Sequence, residues 1–163
     1  MGRRLGGNAL LLPFVNLRYI CCMHGEPITE WEPVFTVHEY YDGPRNGIAE
    51  YRGLAHVYKC EWDEVLDCWS TEFLLSPIDD EQLAVIKEDW QIWRRYAECS
   101  YTGALQAGDR HPALAVDWPR HEKLSKAVQQ ALQVNETIAI KASPEFRGTI
   151  EPTHDFEVRW LPI

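Results

Sequence analysis

The side chains best suited to chemistry in this chain fall between His38 and Tyr58, where two histidines, four tyrosines, three acids and two arginines surround two tight turns. Asp42 and Arg45 flank Gly43-Pro44. A carboxylate and a guanidinium at the end of a hairpin either hold a polar ligand or hold each other. Asp42 is also suited to capping its own turn, and Arg45 has Asp42 and Glu39 within reach as ion-pair partners. His56 is the nearby group whose charge changes close to neutral pH. His38, His56, Tyr40 and Tyr58 share one strand face in the simplest register. A metal there would need a third ligand such as Cys60 or Glu72. That spacing forces nothing, because histidines on an aromatic face are ordinarily hydrogen-bonded core or rim residues. The candidate ligand-binding residues are therefore Asp42, Arg45, His56, Tyr58 and His38, with no metal and no cofactor expected.

Other catalytic signatures are missing from the sequence. There is no G-x-S-x-G elbow, and the glycines have the wrong spacing for a phosphate loop or a dinucleotide fingerprint. Cys60 and His56 lie four apart, on one face of a strand but two positions removed, too far for a thiolate–imidazole pair. The acids Asp79, Asp80 and Glu81 read as the solvated start of a helix. Two functions of different kinds stay open. One is a non-catalytic binding or protein-interaction domain. The other is a small hydrolase with His56 as base, Arg45 as electrostatic stabiliser and Asp42 as orienter. The first is preferred, since spacing alone places no catalytic group.

The elements that must carry these residues are legible from turn chemistry and periodicity. Val34, Phe35, Val37, Tyr40 and Tyr41 set a strand, Asp42 to Gly47 a turn, and Arg52-Gly53 a tighter one, which predicts a three-strand meander. With the first turn centred between Pro44 and Arg45, Tyr40 faces Ala49, His38 faces Tyr51 and Glu39 faces Glu50. With a two-residue turn at Arg52-Gly53, Tyr51 faces Leu54 and Ala49 faces His56. Opposed glutamates are unfavourable, so a bulge near the Gly-rich turn is expected to shift the first register. Neither face is plainly polar, which implies cover on part of both sides or a curl into a half-barrel.

Trp69, Thr71, Phe73 and Leu75 alternate as a fourth strand. Ser76 or Asp79 is placed to cap a following helix, with Pro77 suited to its first turn and Leu83, Ile86, Trp90, Trp93 and Ala97 as its apolar stripe. Gly103 stops that helix. A second begins at Trp118-Pro119, with Leu124, Ala127, Val128, Ala131 and Leu132 as its stripe, and two strands close the chain near 137–142 and 154–160. The expected fold class is α+β, an antiparallel sheet of four N-terminal and two C-terminal strands packed against two helices. The span 27–163 is expected to form a single domain.

Bulk properties narrow the partners. The net charge is −9, and residues 23–163 hold 13 bases against 25 acids. Such a surface repels nucleic-acid phosphates and anionic lipid, leaving a basic protein or a small polar ligand as partner. Oligomeric state is not legible. Five cysteines in no C-x-x-C arrangement fit reduced thiols and a cytoplasmic setting. Residues 1–26 are basic, interrupted and without period. They read as a leader outside the core, with Met23 as an alternative start.

Tyr41-Asp42-Gly43-Pro44-Arg45, followed by Gly47, Ala49, Tyr51, Gly53, His56 and Tyr58, then Trp90, Ile92-Trp93 and His111-Pro112, resembles a group of small uncharacterised bacterial proteins. The resemblance covers about residues 40–120. It implies a bacterial, cytosolic setting and carries no activity.

Overall fold

The computed structural model describes residues 30–149, 155–161 and 163; the leader expected at residues 1–26 lies outside them. Six antiparallel strands follow one another around a closed barrel: β1 (Glu32–Tyr40), β2 (Pro44–Tyr51), β3 (Leu54–Asp63), β4 (Cys68–Pro77), β5 (Ile140–Thr149) and β6 (Asp155–Leu161). Two helices, α1 (Asp80–Thr102) and α2 (Trp118–Ala131), are inserted between β4 and β5. The mixed α and β content matches expectation, but the open sheet does not. Val34 pairs with Phe156 and Glu32 with Val158, so the first strand closes on the last and no unpaired edge strand remains in the ring.

What makes closure favourable is the filling of the lumen. Tyr58, Phe73, Phe146 and Trp160 come from four different strands, and their six ring-to-ring centroid distances lie between 5.8 and 6.5 Å. Each pair falls in the range where tilted and edge-to-face rings attract. Ala49, Leu75, Ala142 and Val158 fill the space around them. The outward face of β2 and β3 presents Ile48 and Val57 to a second core. There α1 contributes Ile86 and Ile92, and α2 contributes Leu124, Val128 and Ala131. Ala127, expected in the α2 stripe, is exposed.

The β2–β3 register is the expected one, with Tyr51 opposite Leu54 and Ala49 opposite His56. The β1–β2 register is not. Tyr40 faces Pro44, Glu39 faces Asn46 and Val34 faces Ala49, with three irregularities along β1. The turn is shorter than Asp42 to Gly47: Asp42 and Gly43 take positive φ of 51° and 134°, and Pro44 already belongs to β2. The bulges along β1 absorb the difference and also separate Glu39 from Glu50.

Asp79 is the helix cap. Its Oδ1 accepts from Gln82 N at 2.7 Å, while Gln82 Oε1 accepts from Asp79 N at 3.1 Å. Pro77 instead ends β4, and the Ser76 hydroxyl accepts from Asn135 N at 3.1 Å. Gly103, at φ 71°, ends α1 as expected. Trp90 is buried against Val37 and Phe156 and stacks on Trp93 with centroids 4.4 Å apart. No helix among the described residues is long and apolar enough to cross a membrane.

Candidate functional site

Alternation along a barrel strand puts residues of one parity inside. On β2 the inward set is Arg45, Gly47, Ala49 and Tyr51, running from the first hairpin to the second turn. Gly47 stands opposite Tyr58, and this pairing of the smallest residue with a large ring is sterically required. A Cβ on Gly47 would lie 2.1 Å from Thr36 O and 2.6 Å from the Tyr58 hydroxyl. The hydroxyl occupies that space and donates to Thr36 O at 3.2 Å. The spaced residues Gly47, Ala49, Tyr51 and Tyr58 of the hairpin signature therefore serve barrel packing.

Beyond the four rings, at the first-hairpin end, the barrel opens into a cavity of about 580 Å³. Tyr40, Trp69, Phe73, Phe146 and Phe156 supply aromatic lining, and Ser70, Thr71 and Ser143 supply hydroxyl-bearing positions. Asp42, Arg45 and Arg147 are the charged lining residues. The size is that of a small-molecule site. Arg147 is neutralised by Glu157 at 2.7 Å. Arg45 is held differently. Its Nε donates to Tyr41 O at 2.8 Å, its Nη1 lies 3.7 Å from Cys60 Sγ, and its guanidinium stands 5.1 Å from the centre of the Trp69 ring. Among the described residues it makes no ion pair with Asp42 or Glu39, and its Nη2 has no hydrogen-bond partner. The Trp69 indole N–H is buried without an acceptor among the described residues.

Of the five residues singled out from sequence, only Asp42 and Arg45 lie at this cavity. His56 is four strand positions beyond the level of Arg45, roughly 13 Å along the barrel. There its Nδ1 lies 2.9 Å from Leu54 O, its ring meets Tyr51 edge-on at 5.3 Å, and burial lowers its pKa. Tyr58 is sealed in the lumen, where burial pushes its pKa well up. His38 turns to Trp90 of α1, at 5.4 Å. Burial pulls its pKa down to about 4, and its Nε2 has no partner among the described residues. The lining residues that sequence reasoning missed are Trp69, Phe73, Phe146 and Phe156. Their inward parity was readable for β4, but nothing local says that β5 and β6 bring Phe146 and Phe156 to the same end.

No known family, curated protein or solved structure matches this chain. The chemistry of the site rests on its own geometry. Cys60 sits beneath Arg45 and donates to Ser70 O at 3.2 Å; burial pushes its thiol pKa up against a weaker opposite pull from Arg45, which disfavours the thiolate. No group of three or more His, Cys, Asp or Glu is placed to hold a metal ion among the described residues. A second recess of about 320 Å³ adjoins the mouth between the β3–β4 hairpin and β5. It is lined by Glu61, Asp63, Glu64 and the Glu72–Lys141 ion pair beside the exposed Trp62.

Proposed function

We propose that this protein is a non-catalytic, cytoplasmic binding domain that takes a small polar ligand in the open mouth of its barrel. The observation carrying this reading is the aromatic cavity of about 580 Å³ with the half-buried Arg45 in its wall. A guanidinium fixed at Nε and Nη1 loses little further freedom on meeting a ligand, which favours binding. Free cysteines at positions 60, 68 and 99 support the cytoplasmic setting. The hydrolase alternative draws less support, because its base His56 and stabiliser Arg45 are separated along the barrel. Contact with a basic protein is a second reading, supported by the acidic recess beside Trp62.

The test is a titration of isotopically labelled protein with a panel of small aromatic compounds, followed by amide and indole NMR shifts. Shifts confined to Trp69, Ser70, Ser143 and Gly148 are expected. Thr71→Trp, which fills the mouth from an exposed position, should weaken that binding at least tenfold while the fold persists. Shifts centred on the acidic recess, or none at all, would remove the mouth as the binding site.

A further inference from the structure

The mouth cavity has a chemical bias that its size does not explain. Two neighbouring side chains in one wall each carry a donor that no described residue accepts: Arg45, whose Nη2 is accessible, and Trp69, whose indole N–H is shielded from solvent. The two are already in contact, with the guanidinium 5.1 Å from the ring centre. The buried indole N–H is a standing cost, relieved when an acceptor arrives, whereas Arg45 Nη2 is accessible to water and exchanges it for a ligand oxygen. Among small and polar lining residues, Tyr40, Phe73, Phe146 and Phe156 supply further rings, and Phe73 and Phe146 also belong to the four-ring cluster. An apolar, flat body fits those walls.

From this pairing we infer that the ligand is a small aromatic carboxylate, with its carboxylate on Arg45 and Trp69 and its ring between the aromatic walls. This deepens the proposal of a ligand site at the mouth and rests on it. A carboxylate offers two oxygens to two neighbouring donors, and a guanidinium binds such an anion with directed, charge-assisted hydrogen bonds. A phosphate dianion matches less well. Arg147 is already committed to Glu157, so only one cation in the lining lacks a carboxylate partner, and the surrounding domain is acidic. Asp42, the one acid lining the cavity, is exposed. Water and salt screen its repulsion of the incoming anion.

The probes are 1-naphthoate and its neutral isostere 1-naphthamide, titrated into the full chain by calorimetry and NMR. In the wild type, naphthoate should bind at least tenfold tighter than the amide and shift the Trp69 indole N–H resonance downfield. Arg45→Gln should lose that preference while still binding the amide. Arg45→Lys, which retains charge without the planar fork, should keep an intermediate preference, and circular dichroism checks that both variants are folded. Equal wild-type affinity for the two probes overturns the carboxylate assignment and leaves the mouth as a ligand site. So does a preference that survives in folded Arg45→Gln. Failure of both probes to bind overturns the ligand site itself, and this inference with it.

Discussion

The two ends of the barrel are built from the same strands and differ in what their side chains do with the backbone. At the second-turn end, rings and the buried Glu32 carboxylate close the lumen. The Trp160 indole N–H donates to Glu50 O at 2.8 Å, Tyr51 meets Trp160 and His56 edge-on, and Glu32 Oε1 accepts from Gly53 N at 3.4 Å. At the first-hairpin end, Tyr40 and Tyr41 are exposed, and the mouth remains open above Phe73 and Phe146. Donors at the closed end are spent on the protein, whereas Arg45 and Trp69 at the open end each keep one in reserve. Aromatic packing is thus concentrated at one end of the barrel axis, and the proposed ligand site lies at the other.

The strongest way to break that comparison is at the closed end. Trp160→Ala removes a fully buried ring from the four-ring cluster and leaves Glu50 O without its donor. It should cost about 3–5 kcal/mol, read from urea unfolding. A loss under about 1 kcal/mol would mean that the lumen is not the stabilising core.

A second test uses β1, which runs from one end to the other with a titratable group near each. His38, toward the mouth, has a folded pKa of about 4, below its ordinary value of 6.5. The unfolded chain therefore takes up the proton first, so the contribution of neutral His38 is present above pH 6.5 and lost as pH falls toward 4. The full loss is about 3 kcal/mol, from the shift at about 1.4 kcal/mol per unit. Glu32, at the closed end, has its pKa raised by burial, against weaker backbone hydrogen bonding from Gly53 and Arg52. Its charged form costs stability at neutral pH, and that cost is relieved as pH falls through the raised value. Unfolding measured across pH 4–7 should show His38→Phe losing much less stability on acidification than the wild type. Parallel curves for the two proteins would show that His38 is solvated.

The smallest expected effect is at the mouth. Arg45→Gln should change unfolding free energy by no more than about 1 kcal/mol, since the half-buried guanidinium balances no carboxylate. A larger loss would assign Arg45 to the barrel's stability and blur the division between the ends.

Much of the local structure was legible in the chain. Asp79, one of two caps the sequence offered, Gly103 and Trp118-Pro119 bound the helices by chemistry that acts within a turn. Arg52-Gly53 set the β2–β3 register because a two-residue loop leaves the strands no slack. Asp42 and Arg45 could be picked out as candidates because charge beside a glycine turn is a local signal. The first hairpin was misread for a reason equally local in origin: five of the six residues from Asp42 to Gly47 suit turns, and only the pairing of β1 with both its neighbours decides that the chain turns at Asp42-Gly43.

Closure itself is a long-range fact. Period-two alternation says which face a residue occupies and nothing about which strand will lie beside it, so the pairing of Val34 with Phe156 across 122 positions left no trace in either segment. That one pairing turns two sheet faces into an inside and an outside, brings Tyr58, Phe73, Phe146 and Trp160 into one cluster, and places Phe146 and Phe156 across from Arg45. The sequence by itself determined the number and order of the elements, but not the extent of β5, expected near 137–142 and found at Ile140–Thr149. It also determined the β2–β3 pairing and the polar residues at the hairpin. The tertiary structure alone decided that these residues line a cavity, because a lumen exists only once the first strand has met the last.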